Sequence, residues 1–153
     1  MGNVVAQRDA NLHWTHYFYD DLNRLTQEVD AEGGARSYVY DATGNVVVSL
    51  DERSHATHYE YDALNRATKR IDPLLGEFKT FYDAVGNVSE TRDELDRSTR
   101  YEYDLLDRNV KRINPYNKEF ITTYDAVGNV LATKDELGRE THFEYDTLNR
   151  GTK

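Results

Sequence analysis

A Tyr-Asp pair recurs along this chain at a fixed 21-residue interval. The positions after each pair alternate between an Asp-x-Leu-Asn-Arg type, as at 62–66, and an Asp-x-x-Gly-Asn type, as at 83–87, so the full unit is a 42-residue pair. A strict internal period of this length is typical of repeat proteins, in which each unit packs mainly on its neighbours. The tyrosines of the column are Tyr19, Tyr40, Tyr61, Tyr82, Tyr103, Tyr124 and Tyr145.

The fourth residue after each of these tyrosines is always one that tolerates a positive φ angle. A type I turn closed by one left-handed residue is a common hairpin connection, so the pattern predicts a chain reversal at each of these positions. The residues of this turn column are Asn23, Gly44, Asn65, Gly86, Asp107, Gly128 and Asn149.

A second turn is predicted eleven residues after each tyrosine, where Asp or Asn recurs. These residues favour the first position of a type I turn, and Pro73 and Pro115 follow two of them, where the fixed φ of proline fits. Because Leu12, Ser54 and Leu75 interrupt the Gly and Asx column three residues further on, we expect this second turn to be looser. The first residues of these turns are Asp9, Asp30, Asp51, Asp72, Asp93, Asn114 and Asp135.

Two turns in each repeat leave room for two strands of about six residues, which is the usual strand length. Aromatic residues two apart, such as Tyr59 and Tyr61, share one face of a strand. In the second strand, apolar residues four apart, such as Leu25 and Val29, are also expected to share a face. No segment sustains a helical period. The fold class is therefore all-β: tandem antiparallel hairpins whose stacked Tyr column holds an extended strip together.

Composition agrees with a sheet that has wet faces and little core. Only 38% of the residues are hydrophobic, and the aromatic residues comprise 12 Tyr, 5 Phe and 1 Trp. A net charge of −9 with interspersed basic residues argues against nucleic-acid binding. No stretch approaches the roughly 18 apolar residues that predict membrane insertion, and no signal peptide is recognised in the sequence. The absence of Cys excludes disulfides and thiolate metal sites.

Residues 61–66 and 124–130 resemble the Rhs, or YD, repeat family, and the resemblance extends over essentially the whole chain. It implies a long antiparallel β-strip that coils into a hollow shell or solenoid, as in bacterial Rhs polymorphic toxins, the cocoon of Tc-type toxins and teneurin ectodomains. In the bacterial members the shell encloses a toxic C-terminal domain. The resemblance therefore implies a structural wall module of a secreted or cell-surface parent protein.

The sequence also departs from the complete family pattern. The Asp-Pro-x-Gly-Leu self-cleavage motif of the family is missing, and the segment 72–76 resembles it only at an ordinary turn position. Residues 2–5 match 44–47, one full unit later. We therefore expect residues 1–153 to form one array of about seven repeats that begins and ends within a repeat. Its expected partners are neighbouring repeats of a longer parent chain, or a second copy that pairs through open β-edges.

Catalysis needs groups that occur once, whereas nearly every polar residue here belongs to a repeated column. Histidines that share a column, such as His16 and His58, lie four strands apart, about 19 Å at the usual strand spacing. The acidic residues do not follow a known calcium-binding spacing. The sequence predicts neither an enzyme nor a metal site, and it indicates no cofactor.

Two alternatives stay open at this point. Aromatic columns on hairpins also occur in carbohydrate-binding or surface-adhesion modules, in which exposed rings stack on sugars. A four-stranded 42-residue unit also has the size of a propeller blade. The candidate glycan contacts are Trp14, Tyr17, Tyr38, Tyr59 and Tyr101.

Overall fold

Every regular element in the computed structural model, which describes residues 2–152, is a β-strand. Contacts divide the chain into one unit that ends at Glu77 and a second that begins at Phe78. The first unit contains β1 (Ala6–Arg8), β2 (Trp14–Tyr19), β3 (Leu25–Val29), β4 (Ala35–Tyr40), β5 (Val46–Leu50), β6 (Ala56–Tyr61) and β7 (Ala67–Ile71). At the boundary begins β8 (Glu77–Tyr82), followed by β9 (Val88–Arg92), β10 (Ser98–Tyr103), β11 (Asn109–Ile113), β12 (Glu119–Tyr124), β13 (Val130–Lys134) and β14 (Glu140–His142).

Within each unit the strand order in the sheet is the order along the chain, and neighbouring strands are antiparallel. Each Tyr-Asp turn joins the two strands of one hairpin, as between β6 and β7, where His58 pairs with Ile71 and Tyr59 with Arg70. The predicted all-β fold of tandem antiparallel hairpins is confirmed. Because β1 to β7 follow one another in a single sheet, the first unit is not built from four-stranded propeller blades.

Both kinds of turn are closed by the same two backbone hydrogen bonds and by a left-handed residue. At a Tyr-Asp turn, the Asp62 N–H donates to the Arg66 carbonyl and the Asn65 N–H donates to the Asp62 carbonyl, each at 3.0 Å. At a second turn, Asp51 makes the same two bonds, with the His55 carbonyl and the Ser54 N–H. The closing residue is left-handed in both, with φ of 59° at Asn65 and 63° at Ser54.

The expectation that Leu12, Ser54 and Leu75 loosen the second turn is wrong. Their φ angles are 70°, 63° and 67°, so they occupy the same left-handed position as Gly33 and Gly138. Backbone hydrogen bonds on both sides of the turn fix this conformation, although it is unfavourable for a side chain such as Leu.

The expectation that Leu25 and Val29 share a face is also wrong. Leu25 lies opposite Tyr19 and Val29 lies opposite His16, and the register shifts between these pairs. The shift is a β-bulge, which inserts one extra residue and reverses the alternation of side chains beyond it. Leu25 therefore lies on the face of the Tyr column and Val29 on the other. Equivalent shifts occur at the other Tyr-Asp hairpins for which the register is described.

None of the described residues is fully buried, and the strands consist mostly of half-buried side chains. Hydrophobic burial in a core therefore contributes little to this fold. Stability comes from interactions between neighbouring strands, so the contacts between hairpins determine whether the array holds together.

Candidate functional site

Regular strand pairing between neighbouring hairpins does not extend to the edge that carries the Tyr-Asp turns. β3 and β4 are joined by a turn at the opposite edge, and their regular pairing covers three residue pairs, from Val29–Ala35 to Gln27–Ser37. Towards the Tyr-Asp edge this regular pairing ends before Leu25 and Tyr40. We call the region between successive Tyr-Asp turns the seam, because there the chain itself does not connect the two hairpins.

Tyrosine hydroxyls donate hydrogen bonds across the seam to backbone carbonyls of the preceding hairpin. Tyr40 donates a hydrogen bond of 2.7 Å to the Leu25 carbonyl, and Tyr61 donates one of 2.9 Å to the Val46 carbonyl. Each bond connects the last residue of one strand to the first residue of the neighbouring strand, 15 positions earlier. The other donors and acceptors are Tyr19 to Val4, Tyr103 to Val88, Tyr124 to Asn109 and Tyr145 to Val130.

Three of the seam tyrosines have a raised pKa. Desolvation of the half-buried rings raises the pKa of Tyr40, Tyr61 and Tyr103 above the usual value of 10.0. The hydroxyls of these three residues therefore remain donors through the neutral range. A hydrogen bond of this kind contributes about 0.5–1.5 kcal/mol net.

The aspartate that follows each tyrosine holds the turn. One carboxylate oxygen of Asp62 accepts the N–H groups of Leu64 and Arg66, at 2.9 and 3.0 Å. The same pair of bonds occurs at the second turns, where Asn114 fills the position with an amide oxygen. Partial desolvation raises the pKa of Asp41, but hydrogen bonds from Thr43 and Asn45 outweigh it and bring the pKa to about 2.

Hairpins of the Asp-x-Leu-Asn-Arg type, here called arginine hairpins, reach the next hairpin through their arginine. Arg24 Nε lies 2.7 Å from Asp20 Oδ2 in its own turn. Its Nη1 donates to the Asp41 carbonyl at 3.1 Å, and its guanidinium lies 4.7 Å from the centre of the Tyr40 ring. Arg108 makes the equivalent contacts with Asp104, Asp125 and Tyr124. The seams after Arg24 and Arg108 are therefore closed by a cation–π contact and a charge-assisted hydrogen bond.

Hairpins of the Asp-x-x-Gly-Asn type, here called glycine hairpins, use an asparagine instead. Asn45 Nδ2 donates to Asp41 Oδ2 in its own turn at 3.0 Å and to Asn65 Oδ1 in the next hairpin at 2.9 Å. The acceptor is thus the left-handed residue of the following turn. The same bond joins Asn3 to Asn23, Asn87 to Asp107 and Asn129 to Asn149.

These arginines and asparagines were not among the sites predicted from the sequence. Their alternation between successive repeats was visible there, but the left-handed column was interpreted only as a set of residues that permit a turn. The structure gives its Asn and Asp members a second property, because their side-chain oxygens accept hydrogen bonds from the preceding hairpin.

The candidate glycan contacts differ in exposure and in the face of the strand that they occupy. Tyr17 is half-buried on the face of the Tyr column, whereas Trp14 is 47% exposed and alternates onto the opposite face of β2. The Arg8 guanidinium lies 5.5 Å from the centre of the Trp14 ring, and the His16 ring stacks on it at 6.4 Å. Tyr38, Tyr59 and Tyr101 are half-buried like Tyr17.

Two histidines pair with turn aspartates. His55 Nδ1 lies 3.1 Å from Asp51 and His13 Nδ1 lies 3.4 Å from Asp9, both at exposed positions. Residues 2–152 contain no group of three or more His, Cys, Asp or Glu side chains that could hold a metal ion. The same part of the chain has no helix long and apolar enough to cross a membrane.

Comparison with known proteins gives a family match over residues 3–153, to the model described as Teneurin YD-shell. A comparison with curated proteins returned no match.

Solved structures of toxin complexes share the fold of the chain. The TcdB2-TccC3 structure without its hypervariable C-terminal region matches with a TM-score of 0.62, and the TcdB2-TccC3-Cdc42 structure with 0.56. The Photorhabdus luminescens Tc holotoxin pore matches with 0.54. In each case the identity is 17%, and the match covers 94% of this chain and 10% of the other. The chain thus spans about a tenth of the length of these solved chains.

Proposed function

The chain belongs to the teneurin YD-shell family, and on this premise we propose that it forms part of the wall of a β-shell that encapsulates or displays another domain. The observation that carries this proposal is the tyrosine bond across the seam, as between Tyr61 and Val46. The same bond recurs from one hairpin to the next. A wall requires such repeated contacts, whereas a binding pocket requires different groups that converge on one place.

The physical logic of such a wall follows from the lack of a core. A globular domain needs one closed hydrophobic interior, whereas here each hairpin is stabilised by its two neighbours. The same contacts can therefore be repeated over any number of hairpins. An enclosing wall can be built this way, and no catalytic group is required of it.

The partners follow from the same geometry. The first partner is the neighbouring repeat of a longer parent chain, which would provide the tyrosine, carbonyl and asparagine contacts at each further seam. One solved structure with the same fold combines TcdB2-TccC3 with Cdc42. By analogy, we propose an enclosed or displayed domain as the second partner and a secreted or cell-surface parent.

Small-angle X-ray scattering over a concentration series tests the wall. We expect an elongated or curved particle with a thickness of about one sheet, roughly 10 Å, whose mass rises with concentration where exposed β-edges of two copies pair. A compact globular monomer at all concentrations would overturn the proposal.

A matched pair of variants makes this experiment sharper. Phe in place of Tyr61 and Tyr103 removes two seam bonds, and Phe in place of Tyr59 and Tyr101 changes the same strands without removing a described one. Only the variant with Phe at Tyr61 and Tyr103 should give a scattering profile closer to that of a less ordered chain. An equal effect of both pairs would mean that the seam bonds do not hold the wall.

A further inference from the structure

We propose that the two hairpin types recognise each other, so that the 42-residue pair is the smallest segment that can be added to the array without breaking contacts between hairpins. The 21-residue repeat is then only half of a unit. This inference concerns how hairpins select their neighbours, and it stands whether or not the wall encloses another domain.

The first argument is the acceptor that each asparagine needs. Asn45, at the end of a glycine hairpin, donates across the seam to the side chain of Asn65. A second glycine hairpin in that place would present a glycine, which has no side-chain acceptor. The amide would then lose its partner in the next hairpin.

The second argument is the backbone of the two turns. The left-handed residues of glycine hairpins have φ of 97° at Gly44, 107° at Gly86 and 101° at Gly128. Those of arginine hairpins lie near 60°, with 59° at Asn65 and 57° at Asp107. A side chain tolerates the second value far better than the first. Nothing lies within 4 Å of an added Cβ at Gly44 or Gly128, so the φ angle, and not crowding, reserves this position for glycine.

The third argument is charge at the seam after an arginine hairpin. Arg24 binds its own Asp20 and the carbonyl of Asp41 in the next turn. If the next hairpin were also of the arginine type, its own arginine would bind the carboxylate of that same aspartate. Two guanidinium groups would then converge on one residue, which is unfavourable for like charges at short distance.

Lysines on the face opposite the Tyr column also recur with the 42-residue period. Lys69 lies 3.4 Å from Glu60 on the adjacent strand and 2.8 Å from Glu77 on the next one. In each case the lysine lies on the second strand of an arginine hairpin. Lys111 repeats the arrangement one full unit later, with Glu102 and Glu119 at 3.5 and 2.8 Å.

Insertions test the proposal. A second copy of residues 88–129 placed after Asn129 adds one complete pair and keeps every seam native. A second copy of residues 109–129 in the same place adds a single glycine hairpin, so that Asn129 meets Gly128 of the copy. A third variant repeats residues 88–108 after Arg108 and places one arginine hairpin after another.

Simple nearest-neighbour stacking predicts that every added repeat stabilises the array. We expect instead that the 42-residue insertion melts at or above the parent temperature, while both 21-residue insertions melt below it. Single-repeat insertions that melt at or above the 42-residue insertion would overturn the proposal.

A double-mutant cycle keeps the proposal testable if an insertion fails to fold. Asp107→Gly removes the acceptor of Asn87 while favouring the left-handed turn, and Asn87→Ala removes the donor. We expect Asp107→Gly to lower the melting temperature by about 1–4 °C more in the parent than in the Asn87→Ala background. Equal effects in both backgrounds would remove the asparagine bond from the mechanism.

Discussion

The hydroxyl of Tyr61 donates a hydrogen bond of 2.9 Å to the backbone carbonyl of Val46, in the preceding hairpin. The bond spans the seam, where no turn joins the two hairpins. It gives the Tyr column a physical role beyond its hydrophobic contacts, because it satisfies a carbonyl beyond the end of the regular pairing.

Replacing Tyr61 by Phe should reduce the free energy of unfolding by about 0.5–1.5 kcal/mol, since one net hydrogen bond is lost and the ring remains. Urea denaturation followed by circular dichroism measures this change. Tyr59→Phe is the matched control, because Tyr59 lies on the same strand and face as Tyr61 and no hydrogen bond of its hydroxyl is described. Equal losses in the two variants would contradict the role of the seam bond.

Replacing Leu75 by Gly should stabilise the protein by about 1 kcal/mol, because its left-handed backbone disfavours a side chain. Leu75 has a φ of 67° and is 81% exposed, so its side chain packs little in return for this strain. Thermal unfolding of the variant checks this expectation. Leu74→Gly, at the neighbouring 91% exposed position without a positive φ, should not stabilise. A stabilised Leu74 variant would point to a general effect of glycine in this turn.

Replacing Gly128 by Val should destabilise by about 1–2 kcal/mol or more, because a β-branched residue is strained at a φ of 101°. Space is available for the added Cβ, so the loss isolates backbone strain. Val127→Ala, at the adjacent 71% exposed tip, should change stability by less than about 0.5 kcal/mol. Similar unfolding midpoints for both variants would be inconsistent with a turn that requires glycine.

Stability should fall in acid. Hydrogen bonds lower the pKa of Asp41 from 3.8 to about 2, and those of other turn aspartates such as Asp62 and Asp104 are also lowered. A carboxylate with a lowered folded pKa contributes stability that is complete above its unfolded pKa and disappears as pH falls through the folded one. We therefore expect the melting temperature to drop between pH 4 and pH 2.

The variant Asp41→Asn separates charge from turn geometry. Asn114 shows that an amide oxygen can accept the same two backbone N–H groups. The variant should be less stable than the parent at neutral pH, and the difference should shrink towards pH 2. A constant difference over this range would mean that ionisation of Asp41 does not contribute.

Much of this fold could be predicted from the sequence because its signals are local. The left-handed preference of Asn65, the ring alternation of Tyr59 and Tyr61, and the bonds from Asp62 to residues two and four positions later all act within a few residues. A repeat multiplies such signals, so the period, the hairpins and the all-β class were evident without coordinates. The family resemblance rests on the same columns.

The contacts between hairpins depend on how the hairpins lie side by side. Local sequence signals do not predict these contacts, or predict them wrongly. The bulge that separates Leu25 from Val29 forms only when strands pair, and backbone bonds hold Leu75 in a conformation that its side chain disfavours. The bonds from Tyr61 to Val46 and from Asn45 to Asn65 join residues 15 and 20 positions apart. By itself the sequence determined the period and the turns, because they arise within each repeat. Only the tertiary structure decided which groups meet across the seam, because that depends on the register between neighbouring hairpins.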